Sequence, residues 1–377
     1  MKILIAPDSF KESLSAEQVA KAIKKGFQQH FKTADYQLVP IADGGEGTLE
    51  ALINNAQGEL KTSQVEGPLG DQVSARWGLI DQGQSAVIEI AEASGIALIP
   101  AAKRDVLKAS SYGTGQLIKE ALDHGVNKII LCLGGSATND AGAGIAQALG
   151  AQLLDDKGQM IKKGGAALIN LKQIDLSNLH PNASNTEWLL ACDVDNPLCG
   201  KLGASAVFGP QKGATPTMVT KLDHALQHFS EQVEHLTHIN HAQSPGFGAA
   251  GGTALGIALF AQPQLQAGID IVLDTSHFEQ KLADVDLVIT GEGQMDYQTL
   301  HGKAPFGVAK VAKQKGIKVI AIAGSIGEDT QGLDQYFDAI FGTTRAPLSL
   351  EKVLEEAETN LVRVATNIAA TLKLSLP

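Results

Sequence analysis

Residues 1–18 read MKILIAPDSFKESLSAEQ. Lys2–Ala6 is an apolar run of strand length, Asp8 to Lys11 is a polar loop, and Ser15-Ala16-Glu17-Gln18 has the spacing of a capping box that opens a helix. Gly26 falls inside that helix or near its end. Strand, short loop and capped helix make a βα unit, and the rhythm returns where Gln37–Ile41 leads to a helix from about Glu46. It then changes: Thr62–Glu66 and Gln72–Ile80 flank Gly67-Pro68-Leu69-Gly70, which predicts a hairpin turn, and a second domain is expected to start there. Further strands are expected at Ala86–Ile90, Lys128–Leu133, Trp188–Cys192, Leu287–Thr290 and Lys318–Ala323, and the longest helices at Pro216–Leu236 and Leu350–Leu372. Strands alternating with helices in this way predict an α/β fold with mainly parallel sheets.

The chain has 377 residues, enough for about two domains of roughly 100–200 residues each, and two domains leave a cleft. Hydrophobic residues are 44% and charged residues 19%, which excludes a disordered chain. Glycine is in excess, 40 of 377 residues against an average usage of about 7%, so many tight backbone turns are expected. The formal charge is −11 and no dense basic cluster occurs, which argues against nucleic acid as a partner. Three cysteines without paired spacing argue against a disulfide framework or a zinc site. With no signal-peptide pattern at the start, the reading is a cytoplasmic protein. Gly246–Ala261 is uncharged but short of the roughly 20 residues that a membrane span needs. It is read as a buried glycine-rich helix, and no membrane partner is expected.

In open α/β sheets ligands collect beyond the carboxyl ends of the strands, and the loops there are polar. They are Asp8-Ser9-Phe10-Lys11, Asp43-Gly44-Gly45-Glu46-Gly47-Thr48, Gly134 to Gly142, Asp193-Val194-Asp195-Asn196-Pro197, Gly291 to Asp296, Gly302-Lys303 and Gly324-Ser325. Carboxylates, lysines and exposed amides suit phosphoryl transfer, which needs charge compensation more than covalent help. Gly134 to Gly142, between a strand and a helix, is the best phosphate loop, its amides and a helix start facing an anion. The same stretch also reads as a tight turn capped by Asn139 or Asp140. Asp193 and Asp195 have the spacing to hold Mg²⁺ or to form an Asx turn before Pro197. Taken singly, Asp43, Glu46, Glu292 and Asp296 read as solvated loop carboxylates or helix caps, and only their shared position at strand ends favours a site; Lys11, Lys212 and Lys303 read singly as surface charge. No Walker-type Gly-x-x-x-x-Gly-Lys occurs, Gly246-x-Gly248-x-x-Gly251 follows no strand, and no Gly-x-Ser-x-Gly elbow is present.

Six blocks in one order, APDSFKESLSA near the start, ADGGEGT at 42–48, GGSATNDAG at 134–142, ACDVDNPLCG at 191–200, FGPQKGA at 208–214 and TGEGQMD at 290–296, make the chain resemble the bacterial glycerate kinases of the glyoxylate and sugar-acid pathways. The resemblance spans nearly the whole chain. It implies ATP-dependent phosphorylation of D-glycerate with Mg²⁺, at O2 in preference to O3, in two α/β domains with the active-site cleft between them. It also implies a discontinuous, Rossmann-like first domain, 1–66 and 285–377, with 67–284 inserted. Homodimerisation is left open.

Roles within that reading follow from charge and position. Lys11 would hold the glycerate carboxylate or a transferring phosphoryl oxygen, and Asp43 would orient a glycerate hydroxyl. Ser9, Gly44, Gly45 and Glu46 would complete the substrate site. Asp193 would be a base or a Mg²⁺ ligand, with Asp296 as the second ligand. The amides of Gly134, Gly135, Thr138 and Asn139 and the Ser136 hydroxyl would cradle the ATP phosphates. Domain closure over glycerate would exclude water. The competing readings are a two-domain solute-binding protein, which would ordinarily carry an export signal, and an NAD-dependent hydroxy-acid dehydrogenase, whose fingerprint fails.

Overall fold

The computed structural model describes residues 1–374. Its main strands are β1 (Lys2–Ile5), β2 (Asp35–Leu38), β3 (Glu59–Glu66), β4 (Gln72–Ile80), β5 (Ser85–Glu89), β6 (Lys128–Cys132), β7 (Glu187–Ala191), β8 (Gln264–Gln266), β9 (Leu287–Thr290), β10 (Lys318–Ala323) and β11 (Ala339–Gly342). The chain divides into two compact units. The first comprises residues 1–43, 50–56 and 267–377, and the second 44–49 and 57–266.

In the first unit the strands lie in the order β2-β1-β9-β10-β11, every pairing parallel. The chain steps outward from β1 on one side and from β9 on the other, so the topological switch point lies between β1 and β9. The register there sets Ile3 beside Leu287 and Ile5 beside Ile289. Helix Ala16–Phe27 covers this sheet, and both capping-box bonds expected from Ser15 and Gln18 are present. Its apolar face buries Val19, Ile23 and Phe27 against Ile3 and Ile5 of β1 and against Leu361, Ala365 and Ile368 of the helix Ala357–Leu374.

The second unit holds the order β8-β7-β6-β5-β4-β3. β5 to β8 run parallel, while β3 and β4 form the hairpin expected around Gly67 to Gly70, paired from Glu59–Leu79 to Glu66–Gln72. Because β3 pairs with β4 along its whole length, residues 59–66 fall with the second sheet, although the sequence places them in the first domain. Glu89, Cys132 and Ala191 stand side by side at the carboxyl ends of β5, β6 and β7. Trp77 and Trp188, both about fully buried, anchor the core beneath.

Two expected helices differ. Leu350–Leu372 is two helices, Leu350–Glu355 and Ala357–Leu374. Gly246–Ala261 is largely buried, but its helix is only Ala254–Ala258. Ala250, Gly251 and Gly252 all have positive φ (48°, 69° and 91°), which breaks any α-helix there. No helix among the described residues is long and apolar enough to cross a membrane.

Removing the capping box tests the first unit's leading helix. Ser15→Ala should lower stability by about 1 kcal/mol, read as a shift of the urea unfolding midpoint, and an unchanged midpoint would mean that the cap contributes nothing.

Candidate active-site residues

At the switch point of the first unit, the Ala6 N–H donates to the Ile289 carbonyl (2.7 Å), the Thr290 hydroxyl to the Ala6 carbonyl (2.7 Å) and the Asp8 N–H to the Gly291 carbonyl (2.8 Å). These bonds carry the β1 and β9 pairing into the loops and set Asp8 and Glu292 there. Burial pushes the Asp8 carboxyl up to about 8, the negative charges of Asp43 and Glu292 add to the rise, and the Ser9 N–H, donating at 2.6 Å, opposes it. Glu292 is also raised, first by burial, although it accepts from the Thr299 hydroxyl (2.7 Å) and pairs with Lys303 (3.2 Å). The loop carboxylates Asp8, Asp43 and Glu292 therefore interact, as their shared place at strand ends suggests. Lys11 is exposed, on a turn whose backbone passes beside Gly293.

Asp296, expected as a metal ligand, caps the turn Tyr297–Leu300. Its Oδ1 accepts the Gln298 N–H (2.9 Å) and its Oδ2 the Gln294 amide (3.1 Å). The helix-cap alternative is therefore the one that this geometry supplies.

In the second unit, Gly134 and Gly135 turn the chain at the end of β6. A Cβ on Gly134 would lie 2.9 Å from the Gly45 Cα, so only glycine lets the Gly44-Gly45 and Gly134-Gly135 loops touch. The Gly135 carbonyl accepts from Ile96, and the Ala137 N–H donates to Ser94, each at 2.8 Å. The N–H groups of Gly134, Gly135 and Ser136 donate to no acceptor among the described residues. They are the part of the loop that fits phosphate oxygens.

The rest of the loop is framework. Thr138 and Asn139 are fully buried, Asn139 donating to the Ser205 hydroxyl (2.9 Å). The following helix, Ala143–Ala148, is short and starts well past Gly134. Asp140 already occupies its start: the carboxylate accepts from the Ser111 N–H (2.8 Å) and hydroxyl (3.0 Å) and from the Gly142 and Gly144 N–H groups (3.3 Å each). The helix dipole expected to face an anion therefore faces Asp140.

Lys212 is the residue that sequence reasoning misplaced. Read as surface charge, it is instead buried, 3% exposed, and donates to the Ser136 hydroxyl (2.9 Å) and the Thr138 carbonyl (2.7 Å). Burial lowers its pKa to about 7, against a smaller opposing pull from Asp140.

Glu89, at the end of β5, is also new. It accepts the Leu49 N–H at 2.7 Å, tying the 44–49 segment to the sheet. Burial raises it to about 7, with Glu92 and Glu46 adding to the rise and Arg76 opposing it. Asp193 follows β7 and is exposed, and its charge together with that of Glu89 reaches the buried Cys132 thiol between them. No polar pattern around Glu89 distinguishes it in the sequence, and the FGPQKGA block singles out the turn of Lys212 but not its burial, which depends on contacts far along the chain.

A sequence model of the Glycerate kinase family matches residues 3–373. The chain belongs to the glycerate kinase family. Relatives include the glycerate kinase of Halalkalibacterium halodurans, 49% identical over 97% of each chain. Another is the glycerate 2-kinase of Escherichia coli, 48% identical over 100% of this chain and 99% of its own. A crystal structure described as glycerate kinase 2 from Salmonella typhimurium LT2 superposes with a TM-score of 0.90 at 50% identity, covering 100% of this chain and 99% of that one. The α/β architecture with mainly parallel sheets is thus shared with that structure.

Glu89 makes a pH prediction. In the folded chain it keeps its proton up to about pH 7, whereas unfolded it releases it near 4.5, so the stability it confers at low pH is lost as pH rises between those values. Glu89→Gln can still accept from Leu49 and has no such loss. Relative to the wild type it should gain on the order of 3 kcal/mol between pH 4.5 and 8, measured by urea unfolding, and parallel profiles for the two proteins would contradict the shift.

Proposed function

We propose that this chain transfers the γ-phosphoryl group of ATP in line to D-glycerate, giving 2-phosphoglycerate in preference to 3-phosphoglycerate, and ADP. That it is a kinase with an alcohol acceptor rests on family membership over residues 3–373. The geometric observation that supports phosphate binding is the row of unpartnered amides at Gly134 to Ser136, at the end of a parallel strand. The preference for O2 is supported by the name of the Escherichia coli relative.

ATP phosphates are assigned to the Gly134, Gly135 and Ser136 amides and the Ser136 hydroxyl, with Thr138 and Asn139 holding the loop in shape. Glycerate is assigned to Ser9, Lys11, Gly44, Gly45 and Glu46: the Lys11 ammonium meets its carboxylate and Asp43 orients a hydroxyl. Asp8, raised to about 8, is suited to take the proton of the attacking hydroxyl, since a base works best when its pKa lies near the working pH.

Among the described residues no group of three or more His, Cys, Asp or Glu is placed to hold a metal on its own. Mg²⁺ does not require one, because it keeps several waters and binds through one or two carboxylates and substrate phosphates. Asp193 and Asp296 are assigned as such ligands, Asp296 also capping the turn Tyr297–Leu300. When bound, Mg²⁺ would neutralise charge on the phosphates.

ADP release with D-glycerate, ATP and Mg²⁺, followed by ³¹P NMR of the product, tests the reading. Turnover to 2-phosphoglycerate is expected. No turnover across small hydroxy acids would favour a binding protein, and NADH oxidation would favour a dehydrogenase. Asp193→Asn should lower kcat by orders of magnitude with the fold intact, and near wild-type turnover would remove Asp193 from the mechanism. Wild-type kcat/KM should rise with pH up to about 8, as Asp8 of the free protein loses its proton. Asp8→Asn should lower kcat about 10²–10⁴-fold and flatten that limb, and an unchanged limb would exclude Asp8 as the base.

A further inference from the structure

The Gly134 to Asn139 loop meets its ligand without a helix dipole, because Asp140 occupies the start of the short helix that follows. A buried carboxylate beside a site for polyphosphate is unfavourable unless a positive charge accompanies it. Lys212 is the cation held against this loop. It is buried, its two acceptors are Ser136 Oγ and the Thr138 carbonyl, and the charge that acts on it is that of Asp140. Its position is fixed by the turn Pro210–Lys212, whose Gln211 carbonyl accepts from Arg104 (3.1 Å).

An ammonium can only donate. When Lys212 is charged, Ser136 Oγ accepts from it, and the hydroxyl proton of Ser136 must point to another acceptor. The neutral amine imposes no such direction, since it can accept from Ser136 instead.

We propose that Lys212 is the positioning residue for nucleotide phosphate: its ammonium, bonded to Ser136 Oγ and the Thr138 carbonyl, turns the Ser136 hydroxyl outward as a donor and supplies the charge that the loop otherwise lacks. This rests on the assignment of ATP phosphates to the loop. The charged groups around Lys212 are Asp140 on the loop and Arg104 beside Gln211. With Lys212 lowered to about 7, the amine is mostly neutral at pH 8 in the free protein, and phosphate binding draws a proton onto it.

The test is calorimetry of ATP binding to the full chain at pH 8 in two buffers of different ionisation enthalpy. A phosphate monoester titrates near 6, so ATP itself has no proton left to exchange at pH 8. The wild type should take up close to one proton on binding ATP at pH 8 and progressively less toward pH 6. Lys212→Met should bind ATP at least about tenfold more weakly and take up none. ATP binding by the wild type without proton uptake, or Lys212→Met binding as tightly as the wild type, would overturn the role of Lys212 and leave the kinase reading standing. Failure of the wild type to bind ATP at all would overturn the assignment of phosphates to the loop, and this proposal with it. Asp8 and Glu89 also titrate near 8 and 7, so the same measurement is made on Asp8→Asn and Glu89→Gln: uptake kept in both assigns the proton to Lys212 even if Lys212→Met does not fold, and uptake lost in either would overturn its role.

Discussion

Charge removed from water at the carboxyl ends of parallel strands is the constraint on which the rest of this protein depends. Asp8 follows β1, Glu89 ends β5, and Asp140 with Lys212 sits in and behind the loop that follows β6. Burying such groups costs stability, and each is displaced from its ordinary pKa in the direction that burial dictates. A fold selected for stability alone would replace them with apolar residues. Their persistence at strand ends, where α/β sheets place ligands, is explained by a reaction that brings its own charges.

The two sheets end in different chemistry. The all-parallel sheet of the first unit gathers carboxylates at the β1–β9 switch point, together with the Lys303 and Glu292 pair. The second sheet provides loops with little side-chain bulk, in which Gly134 lies against Gly45 and the amides are left without acceptors.

Local patterns were legible in the sequence because their causes are local. The Ser15 capping box needs residues three apart, and the hairpin at Gly67 to Gly70 needs its own turn residues. β9 and β10 match their apolar runs residue for residue. What escaped depends on distant contacts. Lys212 follows a Gly-Pro-Gln turn that resembles any surface loop, and only the packing of that turn against residues 136–138 buries it. Asp8 stands in a recognisable loop, but its burial beside Glu292 depends on strand pairing some 280 positions away. Asp296 stands in a conspicuous polar block that suggests either metal binding or a cap, and the contacts of its own turn supply the cap.

The most direct test of the central claim is the titration of the strand-end carboxyls in the ligand-free protein. Carboxyl-¹³C labelling of Asp and Glu, with signals assigned by their loss in Asp8→Asn and Glu89→Gln, would follow each group by NMR. Asp8 should titrate near 8 and Glu89 near 7. Titration of both near 4, as in unfolded chains, would contradict the claim that these groups are held out of water for the sake of the ligand.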